Sequence, residues 1–236
     1  MKLALIGHGA MGRLVEQLAR DGGHDVATVL TRRESEFHVE ELAEILGGHD
    51  AAIDFTVAEA VPRHAEACAL ARVPLVEGTT GWLAQLEEVR RNVERANGAL
   101  IYGANFSVGV NLFYRVVARA AELFRGGDYA PFVEEAHHSR KRDAPSGTAL
   151  RLRDILAAHY DGDLSVASTR AGHIPGTHRV GFDSAADTIT LTHAARSREG
   201  FAAGALVAAR WIQGRQGVYE FSETLDEILK AVKREP

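Results

Sequence analysis

Leu3-Ala4-Leu5-Ile6-Gly7-His8-Gly9-Ala10-Met11-Gly12 joins an apolar run to a glycine cluster near the start of the chain. Four apolar residues run straight into a G-x-G-x-x-G hexapeptide, and Leu14, Val15, Leu18 and Ala19 then recur at helical spacing. The pattern is a strand, a glycine turn and a helix. In such a unit the first glycine permits the turn, the second lets the backbone approach a pyrophosphate, and the third lets helix pack on strand. A glycine-rich turn with no ligand shares the hexapeptide. The strand before it and the helix after it favour a dinucleotide, with Gly7, His8, Gly9, Ala10, Met11 and Gly12 at the phosphates.

Outward from that unit the alternation continues. Strands are expected at 26–30, 51–55, 73–76 and 99–102, with helices at 58–71 and 82–93 between them, Pro62 being tolerable near a helix start. Strictly alternating strands and helices specify an α/β fold, a Rossmann-like doubly wound parallel sheet. Ligands of such sheets sit at the carboxyl ends of the strands. Small or hydroxyl residues stand at three of those ends: the glycine turn, Gly78-Thr79-Thr80, and Ala104-Asn105-Phe106-Ser107. The tip of the second strand is Thr31-Arg32-Arg33, where an NAD-preferring site usually places a carboxylate for the ribose hydroxyls. Guanidiniums suit a 2′-phosphate instead, so NADPH is the expected cofactor, with NADH possible. The other reading is a surface pair balanced by Glu34 and Glu36.

After Ser107 the texture changes. A long helix at 108–124, a break at 126–128 and a strand at 132–136 precede a glycine-punctuated stretch at 169–178, read as a long functional loop. Alternation at 179–182 and 188–193 indicates an antiparallel pair, hence a β-rich second unit. An apolar helix at 201–212 follows, and Thr224-Leu225-Asp226-Glu227 has capping-box form before a last helix ending at 232.

The strand at 132–136 delivers Glu134-Glu135-Ala136-His137-His138-Ser139-Arg140-Lys141-Arg142-Asp143-Ala144-Pro145-Ser146-Gly147-Thr148. His137 and Lys141 are four apart, a spacing that shares a face in strand or helix. Ser146 is the expected N-cap of the apolar run Ala149, Leu150, Leu152, Ile155, Leu156. Imidazoles, cations and a helix start in so few residues describe a pocket for a small carboxylate; a basic, solvated loop before an ordinary helix is the blander reading.

Composition narrows the classes. With 236 residues, 46% of them apolar, the chain can build one large or two modest cores. A net charge of −5 argues against nucleic acid as the main partner. No apolar run reaches a membrane span, and Met1-Lys2 leads into a strand rather than a signal sequence, so no membrane partner and a cytoplasmic setting are expected. Cys68 is the single cysteine, in a helical apolar pattern that suggests burial rather than reactivity. The eleven histidines show no metal-ligand spacing, and no metal is expected.

These motifs together resemble the 4-hydroxy-tetrahydrodipicolinate (dihydrodipicolinate) reductase family. The likeness runs through Gly7–Gly12, Asp54-Phe55-Thr56, Gly78-Thr79-Thr80-Gly81, Ala104-Asn105-Phe106-Ser107-Val108-Gly109-Val110-Asn111 and the stretch from Glu135 to Leu150. It implies NAD(P)H-dependent reduction of 4-hydroxy-tetrahydrodipicolinate to tetrahydrodipicolinate in the diaminopimelate and lysine pathway. It also implies His137 as acid/base group, Lys141 as a second proton donor, and His138, Gly147 and Thr148 as binders of the substrate carboxylates. Gly78 to Thr80 and Ala104 to Ser107 would hold the nicotinamide half. The implied organisation is a dinucleotide-binding domain at 1–107 completed by 200–236, and a smaller α+β substrate-binding and tetramerisation domain at 108–199. The glycine turn here is one residue shorter than the family's usual form. Other readings are a non-catalytic NAD(P)-sensing protein and an amino-acid dehydrogenase of similar two-domain form.

Overall fold

The structure, a computed structural model, describes residues 1–34 and 37–232. Glu36, weighed above as a counter-charge, lies outside them. The chain forms two compact units, Met1–Val108 with Glu199–Pro236, and Gly109–Arg198.

The first unit is built on six parallel strands: β1 (Lys2–Ile6), β2 (Asp25–Leu30), β3 (Ala51–Asp54), β4 (Leu75–Glu77), β5 (Ala99–Tyr102) and β10 (Gly217–Glu220). Their order is β10-β5-β4-β3-β1-β2. Successive residues of a strand face opposite sides, and both sides here are apolar. Leu3, Leu5, Ile53 and Ile101 bury against α1 (Ala10–Asp21), α7 (Glu199–Trp211) and α8 (Phe221–Val232). Ala4, Ile6, Ala52 and Leu100 bury against α2 (Val39–Leu46), α3 (Val61–Leu70) and α4 (Leu86–Arg95). The doubly wound parallel sheet is therefore present.

Several details differ from the expectation. The fourth strand lies two residues later and includes the buried Glu77. Pro74 contributes only its carbonyl, which accepts from Ala52 N–H at 2.8 Å. Both α3 and α4 are entered through 3₁₀ turns, Ala58–Ala60 and Leu83–Gln85. β10 runs directly into α8, so that helix starts three residues before Thr224. Thr224 is thus not a cap: its hydroxyl donates back to the Glu220 carbonyl at 3.0 Å.

In the second unit, β6 (Ala130–His137), β7 (Ser165–Arg170), β8 (Thr177–Asp183) and β9 (Thr188–Ala194) form a sheet of order β7-β6-β8-β9. β6 and β7 are parallel; β6, β8 and β9 are antiparallel neighbours. α5 (Val108–Phe124) and α6 (Gly147–Ala157) cover one face, with Phe113, Val117, Leu152 and Leu156 packed on Val133, Val180 and Phe182. The long loop expected at 169–178 is corrected to six residues, 171–176, because Arg170 ends one strand and Thr177 and His178 begin the next.

Candidate active site

On β6, Val133, Glu135 and His137 alternate onto the buried face, and on β8 Phe182, Val180 and His178 do the same. The face is apolar at one end and polar at the other. The polar end meets the start of α6, because Glu135 Oε1 accepts the Ser146 N–H at 3.0 Å. The same oxygen accepts from Ser168 Oγ and Arg170 Nη2, each at 2.7 Å. Glu135 Oε2 lies 3.2 Å from His137 Nδ1 and 3.6 Å from His178 Nε2. Burial alone would raise the Glu135 carboxyl, but the donors Ser146, Arg170 and Ser168 outweigh it and hold it at about 2. The group is an anion wrapped in donors.

The two imidazoles meet edge to face, centroids 5.1 Å apart. Burial, then the neighbouring His137, pushes His178 down to about 4, so it is neutral at pH 7. His137 is lowered chiefly by burial; Glu135 opposes that shift, while Lys141 and Arg170 add to it. On its other side His137 Nε2 would lie 3.1 Å from a Cβ at Gly176, whose φ of +155° also favours glycine. A side chain there would press on that nitrogen.

Beyond His137 the chain leaves the strand, so the four-residue spacing to Lys141 reflects a turn and not a shared face of a regular element. Lys141 N–H donates to the His138 carbonyl at 3.1 Å, and its ammonium sits 2.9 Å from Asp143 Oδ1. Arg170 Nη2 also donates to the Asp143 carbonyl, tying this turn to the Glu135 cluster. His138 is half-buried after the strand end. Ser146 is the N-cap of α6, accepting the Ala149 N–H at 3.2 Å, while Leu150 N–H begins the helical bonds on the Ser146 carbonyl at 2.9 Å. The amides of Gly147 and Thr148 are the two first-turn donors that neither bond uses. Gly147 is exposed, with no atom within 4 Å of where a Cβ would be. Glu135, His137 and His178 offer donor atoms within 4.8 Å of one another. Arg170 on Glu135 sets a positive charge against any cation there.

In the first unit, a cavity of about 690 Å³ is lined by Gly7, His8, Gly9, Thr31, Arg32, Phe55, Thr56, Val57, Glu59, Ala60 and Arg63. Gly7 has φ +90°, and a Cβ on Gly12 would fall 2.1 Å from the Gly7 carbonyl, so both glycines are sterically required. Gly9 is the N-cap of α1 and supplies no side-chain cap, leaving first-turn amides for an anion. These observations fit a dinucleotide. Thr31 N–H donates to Glu34 Oε2 at 3.0 Å, and its hydroxyl bonds the same oxygen. The second strand's tip therefore does carry a carboxylate, contrary to the expectation, but that carboxylate is engaged with Thr31.

The sequence comparisons agree with this geometry. A family model described as dihydrodipicolinate reductase, N-terminus, matches residues 1–106, and one described as dihydrodipicolinate reductase, C-terminus, matches residues 109–225. The chain belongs to the dihydrodipicolinate reductase family. The 4-hydroxy-tetrahydrodipicolinate reductase of Christiangramia forsetii is 35% identical across 98% of this chain and 100% of its own length. That of Anaeromyxobacter dehalogenans strain 2CP-1 is 38% identical across 79% and 76%. A dipicolinate-bound dihydrodipicolinate reductase from Paenisporosarcina sp. TG-14 has the same fold, with TM-score 0.74 at 20% identity over 94% of this chain and 99% of that one. An amine dehydrogenase from Mycobacterium smegmatis also superposes, with TM-score 0.60 at 10% identity over 92% of this chain and 94% of that one. The fold is shared beyond the reductases, so the side chains carry the functional reading.

Among the residues that the family resemblance singles out, His137, His138, Lys141, Gly147 and Thr148 all stand around the polar end of the second unit's sheet. Gly7, His8, Gly9 and Arg32 line the cavity of the first unit, and His8 Nε2 is 2.8 Å from Glu16 Oε2. Ala10 and Met11 open α1 behind them. Arg33, Gly78, Thr79, Thr80 and Ala104 to Ser107 are not in that lining. The hydroxyl of Thr79 accepts the Thr56 N–H at 3.0 Å, Asn105 Oδ1 accepts from Ser107 N–H at 2.9 Å, and the Phe106 ring is buried 4.8 Å from that of Phe221. Sequence reasoning missed Glu135, Arg170 and His178 as site residues, and Arg63 and Glu59 in the cavity. Alternation along β6 was the available signal for Glu135.

Proposed function

We propose that the chain is a 4-hydroxy-tetrahydrodipicolinate reductase in the diaminopimelate and lysine route, taking a small dicarboxylate as substrate and a reduced nicotinamide dinucleotide as cofactor. The observation that carries this reading is the joining of His137 to the open start of α6 by one buried carboxylate, Glu135, with the Lys141–Asp143 turn tied to it through Arg170. A bound nicotinamide supplies the hydride. The protein must then hold the dicarboxylate and deliver a proton where negative charge develops. The amides of Gly147 and Thr148, with His138, suit the carboxylates. Lys141 adds fixed positive charge, and His137 is the proton donor. Its Nδ1 faces Glu135, which orients the ring and leaves Nε2, beside Gly176, as the nitrogen that serves the substrate. Incubating the purified protein with the product of dihydrodipicolinate synthase and NADPH, and following loss of the reduced cofactor's absorbance, tests the reading. No loss with that substrate would overturn it.

Glu135 supplies a pH prediction. Its charge opposes the burial that lowers His137. With the acid form required, turnover falls as pH rises through the His137 pKa. Glu135→Gln removes the opposing charge, so that decline is expected at lower pH than in the parent. An unmoved profile would detach Glu135 from His137.

NADPH is the preferred cofactor in this reading, through Arg32 with Arg63 nearby in the cavity. The second unit is read as the substrate-binding and tetramer-forming domain. Its sheet face away from the helices carries Ala167, Phe132, Glu134, Arg179, Gly181, Thr190 and Thr192, with Phe132 against Gly181 and Arg179 paired to Glu134. Small, hydroxyl and mutually paired side chains make a shallow face suited to another sheet. Light scattering is expected to give a homotetramer; a stable monomer at micromolar concentration would count against it. No helix among the described residues is long and apolar enough to cross a membrane, and the cytoplasm is the setting that this pathway assignment proposes.

A further inference from the structure

Beneath the loops that follow β3 and β4 lies a buried polar group that neither substrate nor hydride chemistry requires. Asp54 and Glu77 end those strands as register partners, both wholly inaccessible. Asp54 Oδ2 lies 2.6 Å from Nδ1 of His64, itself buried on α3, and Glu77 Oε1 accepts the Thr79 N–H at 2.7 Å. Asp54 Oδ1 and Glu77 Oε2 remain, buried and without an N–H or O–H donor among the described residues. As register partners on adjacent parallel strands, the two side chains leave the sheet on the same side, so two orphaned carboxylate oxygens share one buried space. Two ionised oxygens meeting in a dry interior repel strongly, whereas one proton between them makes a hydrogen bond and satisfies both.

We propose that Glu77 is kept as a carboxylic acid whose O–H donates to Asp54, and that this pair is a clasp holding the 55–57 and 78–81 loops in the shape the cofactor needs. Both are positioning residues that touch no cofactor themselves. The loops above are closely fitted. Gly78 N–H donates to the Asp54 carbonyl at 2.9 Å, and Trp82 Nε1 donates to the Thr79 carbonyl at 3.0 Å. A Cβ on Gly78 would fall 2.1 Å from the Phe55 ring, and Phe55, Thr56 and Val57 line the cavity. A shift of either strand end is therefore passed directly to the cavity wall.

The titratable groups around the pair are His64 on α3, against Asp54, Cys68 on the same helix, and Tyr102, the register partner of Glu77 on β5. Burial, then the charge of Asp54, raises Glu77 well above the usual carboxylate range, and burial with the two acids raises the Cys68 thiol. A raised carboxyl stabilises the fold below its unfolded pKa, and that contribution is lost as pH rises through the folded value. The clasp is thus expected to open as pH rises through that raised value.

Glu77→Gln replaces the acid with an amide that donates to Asp54 and accepts from Thr79 without needing the proton, whereas Glu77→Ala leaves Asp54 Oδ1 unsatisfied. Infrared difference spectra of the free parent and Glu77→Gln proteins at neutral pH should show a protonated carboxylic-acid carbonyl stretch in the parent alone. In fluorescence titrations, NADPH affinity of the parent should fall as pH is raised, that of Glu77→Gln should stay level, and Glu77→Ala should bind about 5- to 150-fold more weakly at neutral pH. Absence of the acid band, or Glu77→Gln binding as poorly as Glu77→Ala, overturns the clasp. The proposal rests on reading these loops as the cofactor cradle, and the two failures separate: the acid band present with no NADPH affinity in any of the proteins would overturn the cradle and its clasp role, not the protonated pair.

Discussion

His137→Ala is expected to lower turnover by roughly 10²- to 10⁴-fold while the dissociation constant of the reduced cofactor stays near its starting value. The proton that follows the hydride must come from a donor on the open side of the pocket, and His137 is the imidazole whose Nε2 is beside Gly176 rather than against the capping hydroxyl of Ser146. His178 cannot take over. It is buried, pushed down to about 4 and so neutral at pH 7, and 3.2 Å from the capping hydroxyl of Ser146. Lys141→Ala is expected to lower turnover within the same range, because it removes a charge near the developing anion without touching the sheet. Its partner Asp143 is exposed, so the fold loses little: surface ion pairs contribute about 0–1 kcal/mol. Stopped-flow measurement of a single turnover separates this from slower product release. Full activity in either variant would remove the corresponding residue from the mechanism.

How far such a site can be read from sequence depends on how local its parts are. The βα alternation of the first unit was legible because each strand is a short apolar run punctuated by glycine or small residues, as at Ile6-Gly7 and Val76-Glu77-Gly78. β7 was not, since Ser165-Val166-Ala167-Ser168-Thr169-Arg170 is mostly exposed and carries little apolar alternation. β10, four half-buried residues fused to α8, gave no separate turn signal. The same distinction governs the site. Ser146 as N-cap is a local pattern and stands where the apolar run placed it. Glu135, Arg170 and His178 converge only through pairing of β6 with β7 and β8, in which His137 lies opposite Arg170 and Glu135 opposite His178. Separations of that length leave no periodic trace, and a run of Thr, Gly and His such as 169–178 looks like a loop until its strand partners are known.

Cofactor choice is the other expected large effect, and here the cavity alters the weights that sequence alone assigns. Thr31-Arg32-Arg33 offers two guanidiniums, yet Arg32 lines the cavity and Arg33 does not, while Arg63, 31 positions further along the chain on α3, does. Glu34 holds Thr31 by two hydrogen bonds to one carboxylate oxygen and so fixes the turn from which Arg32 projects. Glu59 in the same lining adds a negative charge that tempers the preference. On the proposal that Arg32 meets the 2′-phosphate, one well-placed charge-assisted contact of about 1.5–3 kcal/mol gives NADPH an advantage of roughly 10- to 150-fold in binding over NADH. Arg32→Ala is expected to remove most of that advantage, Arg63→Ala part of it, and Arg33→Ala little. NADH binding should change least throughout, because it brings no phosphate to lose. A contact at the solvent-facing mouth is also screened, so the advantage should shrink between low and high salt. Dissociation constants for both cofactors with the parent and the three variants decide the matter: equal affinities in the parent, unmoved by Arg32→Ala and Arg63→Ala, would falsify the phosphate contact and leave the adenosine end to backbone interactions alone.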